Sequence, residues 1–473
     1  MIQAETLRRR AASVVVLGIA SLVAACSGEG SSSPTPAPAN HAPSFSSAVS
    51  ASVAENVTGA IYTAAASDPD GDVVTFTIAG GADATAFTLA RGALSFVSPP
   101  NFERPADANA DNVYQVTINA ADGKGGMTAL ALSIQVTNDH EGVNLVRIAS
   151  GFGADAVIAA RSRKSGLIIV SQDGVVHEVD AVGGAASNVA NVFKAGETGR
   201  VLAVADFNFY GVVMLDIDGR GVIVRTVPLS DSPLRYTVEA NLAVASNMRP
   251  RGVLFRGGDG FLFGALGDPS ADLAQDAASG YGKFYRVQVD PYCGASTLTY
   301  CIYAELFGDG VHAPAGGGGY AGMSFLLDRG TDQQEEISYF NQNARPIDFG
   351  WPYREGTYAR VANPPAAVIG PSLTYGHGDG VYAGKGMTGS VAYTGSIASL
   401  AGKILVTDES DKVFTFPQAF LADGILHLSS EMENRSADFT PASGAIERST
   451  GIVQDYSGRL LVLDGDGELF ATG

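Results

Sequence analysis

The sequence predicts an all-β chain in two parts, a β-sandwich followed by a six-bladed β-propeller. Three observations carry that expectation. Short alternating runs bounded by turn residues fill residues 44–140. From about residue 145 onward one strand–turn–strand pattern recurs. Gly is abundant, 58 of 473 residues, and only 17% of residues are charged, the composition of buried strands joined by tight turns. The length exceeds one typical domain, and 46% hydrophobic residues suffice for sizeable cores. There is no Gly-X-Y period, which excludes collagen. A net charge of -19 repels phosphate backbones and argues against nucleic acid as a partner.

At the N-terminus, Arg8, Arg9 and Arg10 precede an apolar run from Ala11 to Ala25. The run is too short and too rich in small residues to span a bilayer comfortably. It has the charged, apolar and small-residue regions of a secretory signal. It ends Leu22-Val23-Ala24-Ala25-Cys26, which resembles a bacterial lipoprotein signal. The resemblance implies that residues 1–25 are removed and that the Cys26 thiol takes a diacylglycerol. The chain would then be anchored to a membrane of the cell envelope, facing the periplasm or the exterior. Two or three acyl chains hold firmly, at about 0.8 kcal/mol per buried methylene. The alternative is an ordinary signal with an incidental Cys. Residues 26–43 are mostly Ser, Pro, Gly and Ala and read as an extended linker that cannot bury enough surface to fold. The other two cysteines, Cys293 and Cys301, lie in a turn-rich stretch, and in an oxidising compartment a local disulfide is expected. No Cys/His spacing supports zinc.

In residues 44–140, Val73-Val-Thr-Phe-Thr-Ile78 and Val113-Tyr-Gln-Val-Thr-Ile118 alternate, and Leu132-Ser-Ile-Gln-Val136 closes the unit. About seven such strands in a hundred residues read as a sandwich. Carboxylates and Asn recur at the strand ends: Glu55, then Asp68, Asp70 and Asp72, then Glu103, then Asp122, then Asn138 and Asp139. Calcium needs six to eight oxygen ligands on adaptable backbone, which such residues supply. The competing reading is solvated hairpin turns, and for Asp107, Asn109 and Asp111 loop polarity is the better explanation.

The order of these motifs resembles a cadherin repeat. Glu55 matches the Glu of the opening Pro-Glu-Asn motif, with Ala54 in place of Pro. Asp68 and Asp70 match Asp-x-Asp, and Glu103 matches the Glu of Leu-Asp-Arg-Glu. Asp122 matches Ala-x-Asp-x-Gly, and Asn138 with Asp139 matches the closing Asn-Asp. The resemblance implies calcium binding and an adhesion or spacer role. His140-Glu-Gly departs from the family's Asn-x-Pro, and a single repeat is present where family sites form between consecutive repeats.

Residues 145–473 repeat a hairpin at Gly166–His177, Lys403–Phe414 and Gly458–Phe470. Gly260–Asp268 and Gly282–Val289 look like the same hairpin with a long insert. Some 330 residues of such hairpins fit six blades of roughly 50–55 residues, and radial closure protects the sheet edges. No P-loop or nucleophile-elbow fingerprint is present.

The motif order here resembles the glucose/sorbosone dehydrogenase family, six-bladed propellers that use pyrroloquinoline quinone (PQQ) and calcium. Gly267-Asp268, Ala274-Gln-Asp276 and Gly282-Lys-Phe-Tyr-Arg286 match its succession. Asp328-Arg-Gly-Thr-Asp-Gln-Gln-Glu-Glu-Ile337, Phe349-Gly-Trp-Pro352, Tyr375-Gly-His377 and Met387-Thr-Gly389 follow in order. The resemblance implies a His base that hands the substrate proton on while the quinone takes hydride. At the expected position the chain has Asn247 or Met248, neither a useful base. Thr198 replaces a Gln, and Val311-His-Ala-Pro314 stands for Arg-Asn-Pro. The remaining catalytic candidates are His312 and His377, and the cofactor-binding candidates are Gly330, Thr331 and Arg251. Two functions are therefore expected in competition. One is a calcium-binding surface protein whose propeller binds a carbohydrate or a surface protein without catalysis. The other is a PQQ- and calcium-dependent aldose dehydrogenase with a rearranged site.

Overall fold

The computed structural model describes residues 38–161, 166–207, 210–230, 237–244, 247–290, 293, 301–365 and 367–473. The signal run, Cys26 and most of the linker lie outside the described residues. Among the described residues no helix is long and apolar enough to cross a membrane, and helical structure is limited to short 3-10 turns.

The first unit packs a four-stranded sheet against a three-stranded one. Ser50–Ala54, Met127–Thr137, Val113–Ala121 and Thr75–Gly80 form the larger sheet in that spatial order. Ala60–Thr63, Ala93–Phe96 and Phe87–Ala90 form the smaller. The period-2 pattern decides which side chains go in. Tyr114, Val116, Ile118 and Ala120 alternate into the core from one strand, and Leu132, Ile134 and Val136 from its neighbour. Phe87, Phe96 and Tyr114 stack among them with centroids 4.7–6.0 Å apart.

The second unit is a ring of six sheets, each a four-stranded antiparallel meander running outward from an inner strand, with a short parallel strand, Ile347–Asp348 or His427–Leu428, added at the outer edge of the third and fourth. The inner strands are Val157–Ala160, Gly199–Phe207, Gly252–Arg256, Pro314–Tyr320, Met387–Ala392 and Ser449–Gln454. The ring is closed by sequence ends: Leu145–Ala149 forms the outer edge of the sixth blade, paired with Leu469–Thr472. Every pair of neighbouring blades shares a buried apolar cluster, so the core is a ring of six interfaces around an open axis. Between blades three and four the filling is aromatic. Phe284 is fully buried and lies 5.4 Å from Phe263, 4.9 Å from Phe340 and 5.7 Å from Phe307. Phe284→Ala is expected to cost about 3–5 kcal/mol, since it removes the centre of a stack that cannot collapse without moving two blades. Equilibrium urea unfolding measures this, and a loss below about 1 kcal/mol would contradict the interface described. Cys293 and Cys301 are joined in a disulfide.

Candidate functional site

The six inner strands surround a central cavity of about 990 Å³. Four glycines, Gly316–Gly319, occur in succession on the fourth inner strand, so that stretch of the wall carries no side chains. The openings of the inner strands gather charge. Arg200 follows the first residue of its strand, and Arg251 and Arg448 immediately precede theirs. With Arg249 they line the same mouth. Glu409 accepts from Arg251 at 3.0 Å and from Arg329 at 2.6 Å. Arg448 pairs with Asp155, and Arg200 with Asp216 at 2.8 Å. Burial pulls Arg251 below the usual guanidinium range, helped by repulsion from Arg329. Burial works against Glu409 too, but Arg329 wins and holds its carboxyl low. Arg329 reaches this position over Gly386, where any Cβ would collide with the guanidinium. Among the described lining residues there is no His, and the mouth is an arginine-rich patch on a chain of net charge -19.

Of the cofactor-binding candidates, Arg251 lines the cavity, whereas Gly330 and Thr331 do not. Their loop is wrapped around a different anion, the carboxylate of Glu355. Its Oε1 accepts the N–H groups of Thr331, Asp332, Gln333 and Gln334 at 2.9, 3.1, 2.7 and 3.3 Å, and Oε2 takes Arg360 at 2.7 Å. Burial opposes the charge on Glu355, but those donors keep its pKa below the ordinary value. The loop's amides are thus committed to the protein itself.

The two catalytic candidates stand near that loop and outside the cavity lining. His312 donates from Nδ1 to the Arg329 carbonyl at 2.6 Å, and its ring lies 3.9 Å from that of Trp351. Its backbone N–H donates to Asp328 at 2.8 Å, and burial pushes Asp328 up to about 6. His377 has Nε2 2.6 Å from Oε1 of the fully buried Glu335. That hydrogen bond raises the His377 pKa against the opposing effect of burial. The arginines suit the carboxylates of a quinone such as PQQ, but the described lining offers no imidazole beside them.

The calcium candidates do not form one site. They divide between opposite ends of the sandwich strands. Asp68, Asp70 and Asp72 have carboxylate oxygens within 4.8 Å of one another. Asp122 joins that end through Asn40, which donates to it at 2.7 Å, while the neighbouring His41 bonds Asp70 through its backbone N–H at 2.7 Å. These partners hold Asp122 and Asp70 below the usual carboxylate range. At the other end, Glu55 accepts from Phe102 N–H at 3.0 Å and Asp139 N–H at 3.2 Å, and Asn138 and Glu103 face the propeller. Asp107 is satisfied locally by the amides of Asp111 and Asn112. The residues that sequence reasoning missed are Arg200, Arg249, Arg448 and Glu409 at the cavity mouth. An arginine at the entrance of three of the inner strands was the signal for Arg200, Arg251 and Arg448.

No family model matches the sequence, and no curated protein matches it. Solved structures do. A glucose dehydrogenase aligns over 70% of this chain and 99% of its own, with a TM-score of 0.52 and 17% identity. The soluble aldose sugar dehydrogenase of Escherichia coli, in its apo form, aligns over 69% of this chain and 98% of its own, with a TM-score of 0.51 and 18% identity. At such identities the likeness is one of fold.

Proposed function

We propose that the chain is a ligand-binding protein of the cell envelope, whose propeller takes an acidic carbohydrate into its central cavity without oxidising it. The observation that carries this reading is the cavity mouth: four arginines around one opening, with both candidate histidines directed elsewhere. Guanidinium groups recognise carboxylates bidentately and hold them against the general repulsion of an acidic protein. The sugar dehydrogenase fold supports a carbohydrate as the rest of the ligand. The sandwich is a spacer and adhesion module that binds calcium through Asp68, Asp70, Asp72 and Asp122, and lipidation at Cys26 tethers the whole to the membrane.

A second reading, a PQQ- and calcium-dependent aldose dehydrogenase, is favoured by the same arginines, because PQQ also carries carboxylates. One experiment separates the two. The chain from Ser27 is supplied with calcium and PQQ, and aldose-driven dye reduction is followed. The binding reading expects no turnover above the protein-free control. Turnover that falls at least about a hundredfold in His312→Ala or His377→Ala would establish the dehydrogenase instead.

A further inference from the structure

The central cavity does not end behind the arginines. Its lining runs from the entrances of the inner strands to their exits: from Arg200 to Asp206 in the second blade, from Arg249 to Arg256 in the third and from Arg448 to Tyr456 in the sixth. The strands keep one direction around the axis. Arg200 reaches the Pro250 carbonyl at 3.5 Å at one end, and Arg256 the Asp206 carbonyl at 3.2 Å at the other. The seven residues of Pro314–Tyr320 cover about 20 Å of that axis. The cavity is therefore a tunnel with a second mouth.

The two mouths differ in chemistry. Four arginines face only Asp155 and Glu409 at the first, whereas Arg161 and Arg256 are balanced by Asp206 and Asp455 at the second. Arg161 pairs with Asp206 at 3.1 Å, and Asp455 with Arg459 at 3.0 Å. No described residue lining the first mouth is aromatic. At the second, the hairpins leaving the inner strands carry exposed rings: Phe261 in the third blade, Tyr320 in the fourth and Tyr456 in the sixth, the last 69% exposed and part of the lining. Their backbone is held firmly. Gly319 lies so close to Gly257 and Gly258 that a Cβ on it would overlap both, which joins the tips of blades three and four. Tyr456 stands on a turn closed by the Gly458 N–H on the Asp455 carbonyl at 3.0 Å. The Asp455 carboxylate accepts the N–H groups of Ser457 and Arg459 at 2.9 and 3.0 Å. A ring on so fixed a turn loses little freedom when something covers it.

We propose that the second mouth is a carbohydrate-stacking subsite, and that the ligand is a linear oligosaccharide long enough to reach it, with acidic units at the arginines and a sugar ring laid on Tyr456. The proposal rests on the reading of the cavity as an acidic-sugar site and adds to it a second contact and a minimum length. The C–H face of a pyranose covers an aromatic ring while its hydroxyls stay in water, which suits separate rings on a polar rim. Asp259 and Ser457 interrupt the aromatics, so they do not form the continuous apolar patch of a membrane contact. The balanced charge gives anionic lipid nothing to bind. A volume of about 990 Å³ is also at the top of the range for one drug-sized ligand, roughly 300–1,000 Å³.

Calorimetric titration of the full chain with a galacturonate dimer and a galacturonate octamer tests the proposal. The octamer is expected to bind the wild type at least about tenfold more tightly than the dimer. Tyr456→Ala is expected to weaken the octamer at least about tenfold and the dimer less than about twofold, and Tyr320→Ala to act in the same direction. Both side chains reach solvent at a hairpin tip, so the variants should melt with the wild type. Equal losses for the two lengths, or no loss in either variant, would overturn the second subsite. Dimer binding that Arg251→Glu abolishes would then leave the arginine site standing, whereas a wild type that binds neither oligomer would overturn both. Phosphatidylglycerol vesicles that bind the wild type but not Tyr456→Ala, with octamer affinity unchanged, would make the aromatic face a membrane contact and overturn the proposal.

Discussion

Arg251→Glu is expected to weaken binding of a carboxylated sugar by at least a hundredfold, about 2.7 kcal/mol. The substitution acts twice. It removes a charge-assisted donor from the cavity mouth, and it places a carboxylate where the ligand's own would sit. Losing one partner of a desolvated charge pair typically costs about 2–5 kcal/mol, and like charges about 4 Å apart near a protein surface add repulsion of similar size. The fold should tolerate the change, because Arg329 continues to hold Glu409 and because Arg251 precedes its strand rather than packing within it. Binding of a neutral sugar of the same length should change less than about threefold, and the wild-type affinity for the acidic one should fall as salt rises. Calorimetric titration reads all three quantities. Equal loss for acidic and neutral ligands would mean that Arg251 shapes the cavity rather than recognising charge.

The second large effect is on stability. Arg225 is 1% exposed in the second blade, where it makes paired bonds to Glu197 at 2.7 and 2.9 Å and to Glu239 at 3.0 and 2.6 Å. Arg220 completes the network at 2.7 and 2.6 Å. The Arg225 hydrogen bonds hold Glu197 down to about 2 despite some burial. Burial opposes the charge on Glu239 more strongly, yet Arg220, Arg225 and Lys194 together bring it to about 2 as well. Arg225→Met is expected to cost about 3–5 kcal/mol, because two half-sheltered carboxylates each lose a doubly bonded buried guanidinium. The sign of the pH dependence follows from the depressed values. Stabilisation by this network is fully present above the ordinary carboxylate pKa of 4.5 and is lost as pH falls from there towards 2. Urea unfolding at stepped pH should therefore show the wild type losing more stability than Arg225→Met over that interval. Parallel curves for the two proteins would remove the network from the stability of the blade.

What could be read from the sequence was whatever is encoded locally. The hairpins from Gly166 and Lys403 carry alternating apolar residues and turn residues side by side, so blades were visible before any contact was known. The pairing of Leu145–Ala149 with Leu469–Thr472 has no local signature, since the partners are at opposite ends of the domain. The same distinction governs the sites. Asp68, Asp70 and Asp72 announce themselves by spacing and do cluster. Glu55 and Asp122 belong to the same motif set but reach opposite ends of the sandwich, because odd and even strand ends alternate between them. Arg200, Arg251 and Arg448 come from three blades, and only closure of the ring makes them neighbours. His312 and His377 drew attention as rare residues in loops, but Arg329 and Glu335 determine where their rings point.

The most direct measurement is a crystal structure of the full chain grown with a galacturonate oligomer and without added quinone. Density for the sugar is expected inside the ring, with a carboxylate against Arg251 and either Arg200 or Arg448. A sugar bound only on the outer surface, or a cavity holding solvent alone at saturating oligomer, would contradict the assignment of the cavity as the binding site.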